Sequence, residues 1–139
     1  MSLVLDASLT LSWYFEDERT PEADSVLDQV AEQGAVVPAL WRLEVANGLQ
    51  VSVRRRRLTP AFRDNALDQL ARMPITVDAE TDTHAWTSIL HLADRFRLTL
   101  YDAAYLELAR RRLLPLGTLD RPLRVAAGRL GLDLLGASR

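Results

Sequence analysis

Short apolar runs alternate along this chain with longer stretches whose apolar positions recur every three or four residues. The short runs at 3–5, 35–37, 75–77, around Leu116-Gly-Thr118 and at 132–135 have the length and character of strands. The longer stretches predict helices. One covers 7–15, with Ser8 as its candidate cap. The next covers 22–33, with Ala23, Val26, Leu27, Val30 and Ala31 on one face and Gly34 as its stop. Further helices are expected over 41–53, from Thr59-Pro60 to about Arg72, over 80–96, from Asp102 to Arg111, and over 122–130 with Gly131 after it. Residues 98–100 read as extended or as a loop. Asp102 stands where a helix begins, so the plainest reading of it alone is a helix cap.

Strands that alternate with helices, and that read as near-continuous apolar runs, predict a mainly parallel sheet covered by helices on both faces. No repeat, low-complexity segment or linker divides the chain, so 1–139 is expected to form one domain. Ligands of open α/β sheets bind beyond the carboxyl ends of the strands. Asp6 and Asp120 fall just after predicted strands. Glu44 lies early in the helix after the second strand, and Asp102 opens the helix that feeds the strand at Thr118. All four can face one edge of the sheet. Carboxylates crowded together either share protons or recruit a cation. An all-oxygen set suits magnesium or manganese rather than zinc, and such ions assist phosphodiester hydrolysis by activating water and stabilising phosphoryl charge. Ser8 and Thr118 each lie two residues from one of these acids, where a hydroxyl could fix a carboxylate.

Composition narrows the alternatives. Net charge is −2, so no global basic field advertises nucleic acid. Cysteine is absent, which removes disulfides, thiol nucleophiles and thiolate zinc sites. The start of the chain has no basic lead or long apolar core, and no apolar run nears the roughly 20 residues of a membrane span. A cytoplasmic protein without membrane contact is therefore expected. All basic residues are arginine. A phospho-acceptor receiver domain or a haloacid-dehalogenase-like phosphatase would need a lysine, so both readings fall. The two histidines, His84 and His91, lie seven apart on one predicted helix, about 10 Å along its axis. They make a poor acid–base pair and read as structural.

Four segments taken in order, Val4-Leu-Asp-Ala-Ser8, Pro38-Ala-Leu-Trp-Arg-Leu-Glu-Val-Ala-Asn-Gly-Leu49, Leu98-Thr-Leu-Tyr-Asp-Ala-Ala-Tyr-Leu-Glu-Leu-Ala109 and Pro115-Leu-Gly-Thr-Leu-Asp120, resemble the PIN-domain family, and within it the VapC-type toxin ribonucleases of toxin–antitoxin pairs. The resemblance spans essentially the whole chain. It implies an α/β/α sandwich and a magnesium- or manganese-dependent endoribonuclease, leaving 3′-hydroxyl and 5′-phosphate ends. Asp6, Glu44, Asp102 and Asp120 match the family's metal-binding acids, and Ser8 and Thr118 its small hydroxyl positions. Asn47 matches an asparagine three residues beyond the glutamate. It shares a helix face with Glu44, where it either orients the carboxylate or is a buried, hydrogen-bonded helix residue. The resemblance further implies a homodimer and a small antitoxin partner, with DNA contacted only through that antitoxin. The alternative is a PIN-like module that binds RNA or protein and cuts nothing.

Two groups of residues are candidates for contact with those partners. Arg54 to Arg57 and Arg110 to Arg112 close helices, where cations are favourable with the macrodipole. Arg42, Arg54, Arg55, Arg110 and Arg121 are also candidates for tracking RNA phosphates. Trp13, Tyr14 and Phe15 are adjacent, so they cannot all enter one core from a helix, and they are candidates for the antitoxin surface. Trp41, Trp86, Tyr101 and Tyr105 read as core or dimer contacts.

Overall fold

A computed structural model describes residues 2–137. The elements run β1 (Leu3–Leu5), α1 (Ala7–Ser12), a 3-10 turn (Glu16–Glu18), α2 (Pro21–Gln33), β2 (Ala35–Val37), α3 (Trp41–Arg54), α4 (Pro60–Ala71) and β3 (Ile75–Val77). They continue with α5 (Thr81–His84), a π turn (Ala85–Ile89), α6 (Leu90–Phe96), α7 (Leu100–Arg112), β4 (Leu116–Gly117), α8 (Arg121–Arg129) and β5 (Leu134–Leu135). The five strands form one parallel sheet in the order β3-β2-β1-β4-β5, flanked by helices. The architecture is the α/β/α sandwich that the alternating pattern predicts.

The central strand β1 is fully buried, as is β2 beside it. The edge strand β3 departs from the expectation of burial on both faces. Ile75 is half-buried, and Thr76 and Val77 are exposed, because β3 has a neighbour on one side only. Register places Leu5 beside Gly117 and Val37 beside Val77. Asp6, Pro38, Asp78 and Thr118 therefore follow their strands along one edge of the sheet.

Helix α7 is buried continuously from Ala103 to Ala109, which is why its apolar residues show so little one-sidedness. It packs against β1, α6 and α8. Its start corrects one expectation. Thr99, not Asp102, is the cap: the Thr99 hydroxyl accepts the Asp102 N–H at 3.1 Å, and the helix begins at Leu100. Asp102 sits in the first turn. Ser8 is likewise no cap, since α1 begins at Ala7 with Asp6 before it. Helix α1 ends at Ser12 rather than Phe15. There the chain turns, and the Trp13 indole N–H is donated to the Ala23 carbonyl at 2.9 Å.

The expected helix over 80–96 is interrupted by the π turn at 85–89. The turn leaves Trp86 89% exposed while Ile89 stays in the core, so Trp86 is not a core residue. Helices α1 and α3 approach closely at Gly48. A Cβ added there would meet Leu11 Cδ1 at 2.5 Å. No helix among the described residues is long and apolar enough to cross a membrane.

Candidate active site at the carboxyl edge of the sheet

The edge where β1 and β4 end is tied together by hydroxyls. Asp6 Oδ2 accepts from Ser8 Oγ at 2.7 Å and from Thr118 Oγ1 at 2.6 Å. Each hydroxyl also accepts a backbone N–H, Ser8 from Leu119 at 3.1 Å and Thr118 from Asp120 at 3.0 Å. A hydroxyl has one proton to donate, so both are committed to Asp6. Asp6 is 4% exposed. Burial pushes its carboxyl above the ordinary range, against those hydroxyl bonds, and the nearby charge of Asp120 pushes it further.

Glu44 projects from the first turns of α3 and is half-buried. Its Oε1 accepts the Tyr105 hydroxyl proton at 2.5 Å. Burial raises its pKa, the Tyr105 bond lowers it, and the charges of Asp6 and Asp102 raise it again, for a net rise. Asp102 is pushed up to about 6, first by burial and then by Asp120 and Asp6. Asp120 sits before α8 and caps it, with Oδ2 accepting the Leu123 N–H at 3.0 Å. The four acids thus lie within electrostatic reach of one another, brought there by β1, α3, α7 and the turn after β4. Tyr105 is fully buried and its phenol is pushed far above its usual range, first by burial, so it keeps its proton.

No arginine forms an ion pair with any of these four among the described residues. Asp78 follows β3 on the same edge and differs completely. Its two oxygens take Arg111 Nη1 at 3.3 Å and Nη2 at 2.6 Å. Arg111 also binds Glu107 at 2.8 Å and lies 3.5 Å from Glu80. Burial alone would raise the Asp78 carboxyl, but the bonds and charge of Arg111, the Glu80 N–H and the Thr81 hydroxyl outweigh it and hold it below the usual range.

The donor set of Asp6, Glu44, Asp102 and Asp120 is all oxygen and uncompensated, which fits a hard divalent cation. Among the described residues no three such side chains stand close enough together to hold one ion. Asn47 is exposed on α3 and makes no side-chain hydrogen bond among the described residues, so the buried, hydrogen-bonded reading of it is wrong.

The arginine candidates separate. Arg121 lines a groove of about 630 Å³ together with Ser8, Gly48, Ser52 and Asp120. Arg57, which the sequence pattern did not single out from its cluster, lines the same groove. Arg42 lines a different cleft, with Trp41, Leu70 and Met73. Arg54 and Arg55 are exposed and line neither. Arg110 is exposed, eight residues beyond Asp102 and about 12 Å further along α7. Trp13 and Phe15 are both buried, at 4% and 7% exposure, and Tyr14 is half-buried, yet all three line one further groove. Tyr14 stands edge-on to Phe62, centroids 6.4 Å apart, and Phe15 lies under the Arg57 guanidinium at 4.7 Å. Phe62 also lines that groove, which is about 560 Å³. Trp41 is core, with its indole N–H on Thr10 Oγ1 at 3.2 Å, whereas Tyr101 is exposed. His84 is half-buried and His91 exposed.

A parallel five-stranded α/β/α sandwich with uncompensated carboxylates at the carboxyl ends of its central strands defines an acid-site sheet protein. Comparison with known proteins narrows that class. The PIN domain family matches residues 3–129, and this chain belongs to the PIN-domain family. Ribonuclease VapC3 of Pyrobaculum aerophilum is 32% identical over 123 residues, covering 88% of this chain and 92% of the relative. The crystal structure of PAE2754 from Pyrobaculum aerophilum superposes with a TM-score of 0.69 at 23% identity, over 96% of this chain and 83% of that one. A toxin–antitoxin complex from Klebsiella pneumoniae contains a chain of the same fold, with a TM-score of 0.58 at 16% identity, over 85% and 86% of the two chains.

Proposed function

We propose that this chain is a divalent-cation-dependent endoribonuclease and the toxin half of a toxin–antitoxin pair. One observation carries the cation requirement. Asp78 and Glu80, beyond β3, have an arginine, whereas Asp6, Glu44, Asp102 and Asp120 have none among the described residues. A cluster left uncompensated while a neighbour on the same edge is neutralised is arranged for a positive charge from outside the chain. The kinship with a relative named a ribonuclease supports RNA as the substrate, and the fold shared with a toxin–antitoxin complex supports an antitoxin partner.

Asp6, Glu44, Asp102 and Asp120 would hold magnesium or manganese. When bound, such an ion makes water a better nucleophile and offsets charge on the phosphate. The chain's own groups do the rest. Ser8 and Thr118 hold Asp6 so that it need not reorganise. Arg121 stands beside Asp120, where it can meet an RNA phosphate that the acids alone would repel. The groove lined by Tyr14, Phe15 and Phe62 together with Glu16, Asp17, Arg19 and Arg57 offers the antitoxin a seat that is part aromatic and part charged. Cytoplasmic location, a homodimer, and DNA contact only through the antitoxin complete the proposal.

The test is titration of the purified chain with manganese, read as Tm, followed by cleavage of mixed RNA with and without EDTA. The reading predicts a rise in Tm, 5′-phosphate products, and loss of both effects in Asp6→Ala. Cyclic 2′,3′-phosphate products or EDTA-resistant cutting would overturn the mechanism. Unchanged Tm with no cutting would favour the inactive binding module.

A further inference from the structure

Tyr105 has a place at the site that its sequence context does not suggest. It is fully buried, one helical turn after Asp102 on α7, and its hydroxyl is donated to Glu44 Oε1. Residues three apart on a helix lie on one face. The same face of α7 therefore presents Asp102 and a buried donor that reaches across to α3. Glu44 is half-exposed, on a flexible stem, and without Tyr105 it has no hydrogen-bonded partner among the described residues.

We propose that Tyr105 is a positioning residue for Glu44, holding one carboxylate oxygen so that the other is turned to the cation and the spacing of Glu44 from Asp102 is set by α7. This rests on the cation-dependent reading above. The geometry has three consequences. Glu44 Oε1 is engaged by Tyr105, which leaves Oε2 without a hydrogen-bond partner among the described residues. Its side chain would be ordered before the ion arrives, which removes a conformational cost from binding. Asp102 and Glu44 would move together if α7 shifts. Groups that orient a ligating carboxylate typically govern metal affinity by 10–100-fold.

The experiment is a double-mutant cycle on Mn²⁺ affinity, measured by calorimetry on the intact chain without RNA. Tyr105→Phe keeps the ring in its pocket and removes only the donor, and circular dichroism checks the fold. Tyr105→Phe should weaken Mn²⁺ binding about tenfold or more. Glu44→Gln removes the ligand, and in that background Tyr105→Phe should have no further effect. In cleavage assays at fixed Mn²⁺, kcat should fall with KM for RNA unchanged. Equal losses in both backgrounds would mean that Tyr105 only supports the core, and the proposal fails. Unchanged affinity in Tyr105→Phe, with wild type binding Mn²⁺, also overturns it while leaving the cation reading intact. A wild type that binds no Mn²⁺ overturns both.

Discussion

Asp78 and Asp6 stand one residue beyond parallel strands on one edge of the sheet, and their environments drive them in opposite directions. Asp78 is ionised by Arg111, whereas Asp6 is buried among hydroxyls and other acids. Glu44 and Asp102 share the fate of Asp6, with Asp102 raised to about 6. Ionising these groups costs the metal-free fold some stability at neutral pH. Asp102→Asn should therefore raise the Tm of metal-free protein. The shift, discounted for a half-exposed carboxylate, is worth about 1 kcal/mol, or roughly 3 °C. The same variant should lose the Mn²⁺-induced rise in Tm, and RNA cleavage should drop by at least about a hundredfold, since losing a ligand costs more than the roughly 10–100-fold of disturbing a ligand's support. Differential scanning fluorimetry and a gel assay check the two halves. At this scale the four acids are legible because each stands at a strand end or helix start. Tyr105 is not, because its partner lies 61 positions away in the chain. Arg111 is hidden for a similar reason. It is one of three adjacent arginines, and only the fold sets it against Asp78.

Among the elements, α7 does more than bury apolar surface. Its cap, Thr99, binds the backbone N–H of Asp102 itself, so the cap and the acid belong to one turn. Thr59 caps α4 through the same geometry, accepting the Phe62 N–H at 3.1 Å, but far from the four acids in sequence and function. Thr99→Ala and Thr59→Ala should each cost about 1 kcal/mol in urea unfolding. Only Thr99→Ala should also weaken Mn²⁺ binding. Equal metal affinity in the two variants would show that the cap is purely structural. The cap is hard to read from sequence because a threonine and an aspartate three residues on are both good caps, and propensity does not choose between them. The π turn is equally hidden. Ala85, Ile89, Leu92 and Ala93 keep spacings of three and four, which an uninterrupted helix would also show. The buried strands β1 and β2 are plain in the sequence because burial on both faces demands unbroken apolar runs.

For the whole molecule the opposed acids shape stability against pH. Asp78 has a folded pKa below its unfolded value, so its contribution is present above about pH 4 and is lost as pH falls through the folded value. Asp6, Glu44 and Asp102 have folded values above the unfolded ones. Their contribution is present at low pH and is lost as pH rises, for Asp102 through about 6. Metal-free protein should therefore be most stable near about pH 4, where the Asp78 contribution is complete and that of the raised acids has not yet been lost, with Tm falling on both sides. Saturating Mn²⁺ should erase the fall towards neutrality and leave the acid-side fall, since a cation binds the ionised carboxylates and Asp78 is already paired. Tm measured from pH 3 to 8 with and without Mn²⁺ decides this, and a profile indifferent to the metal would count against the site. Parallel pairing was legible from the alternation of strands and helices. The placement of β3 at an exposed edge was not, because its three residues look like any other short strand. Asp120 ends one helix-capping bond in the same carboxylate that faces the other acids. The amide of Leu123 is thus wired to the site through a single oxygen. Its proton resonance offers a label-free meter of ion occupancy, readable in a chain that holds neither RNA nor partner.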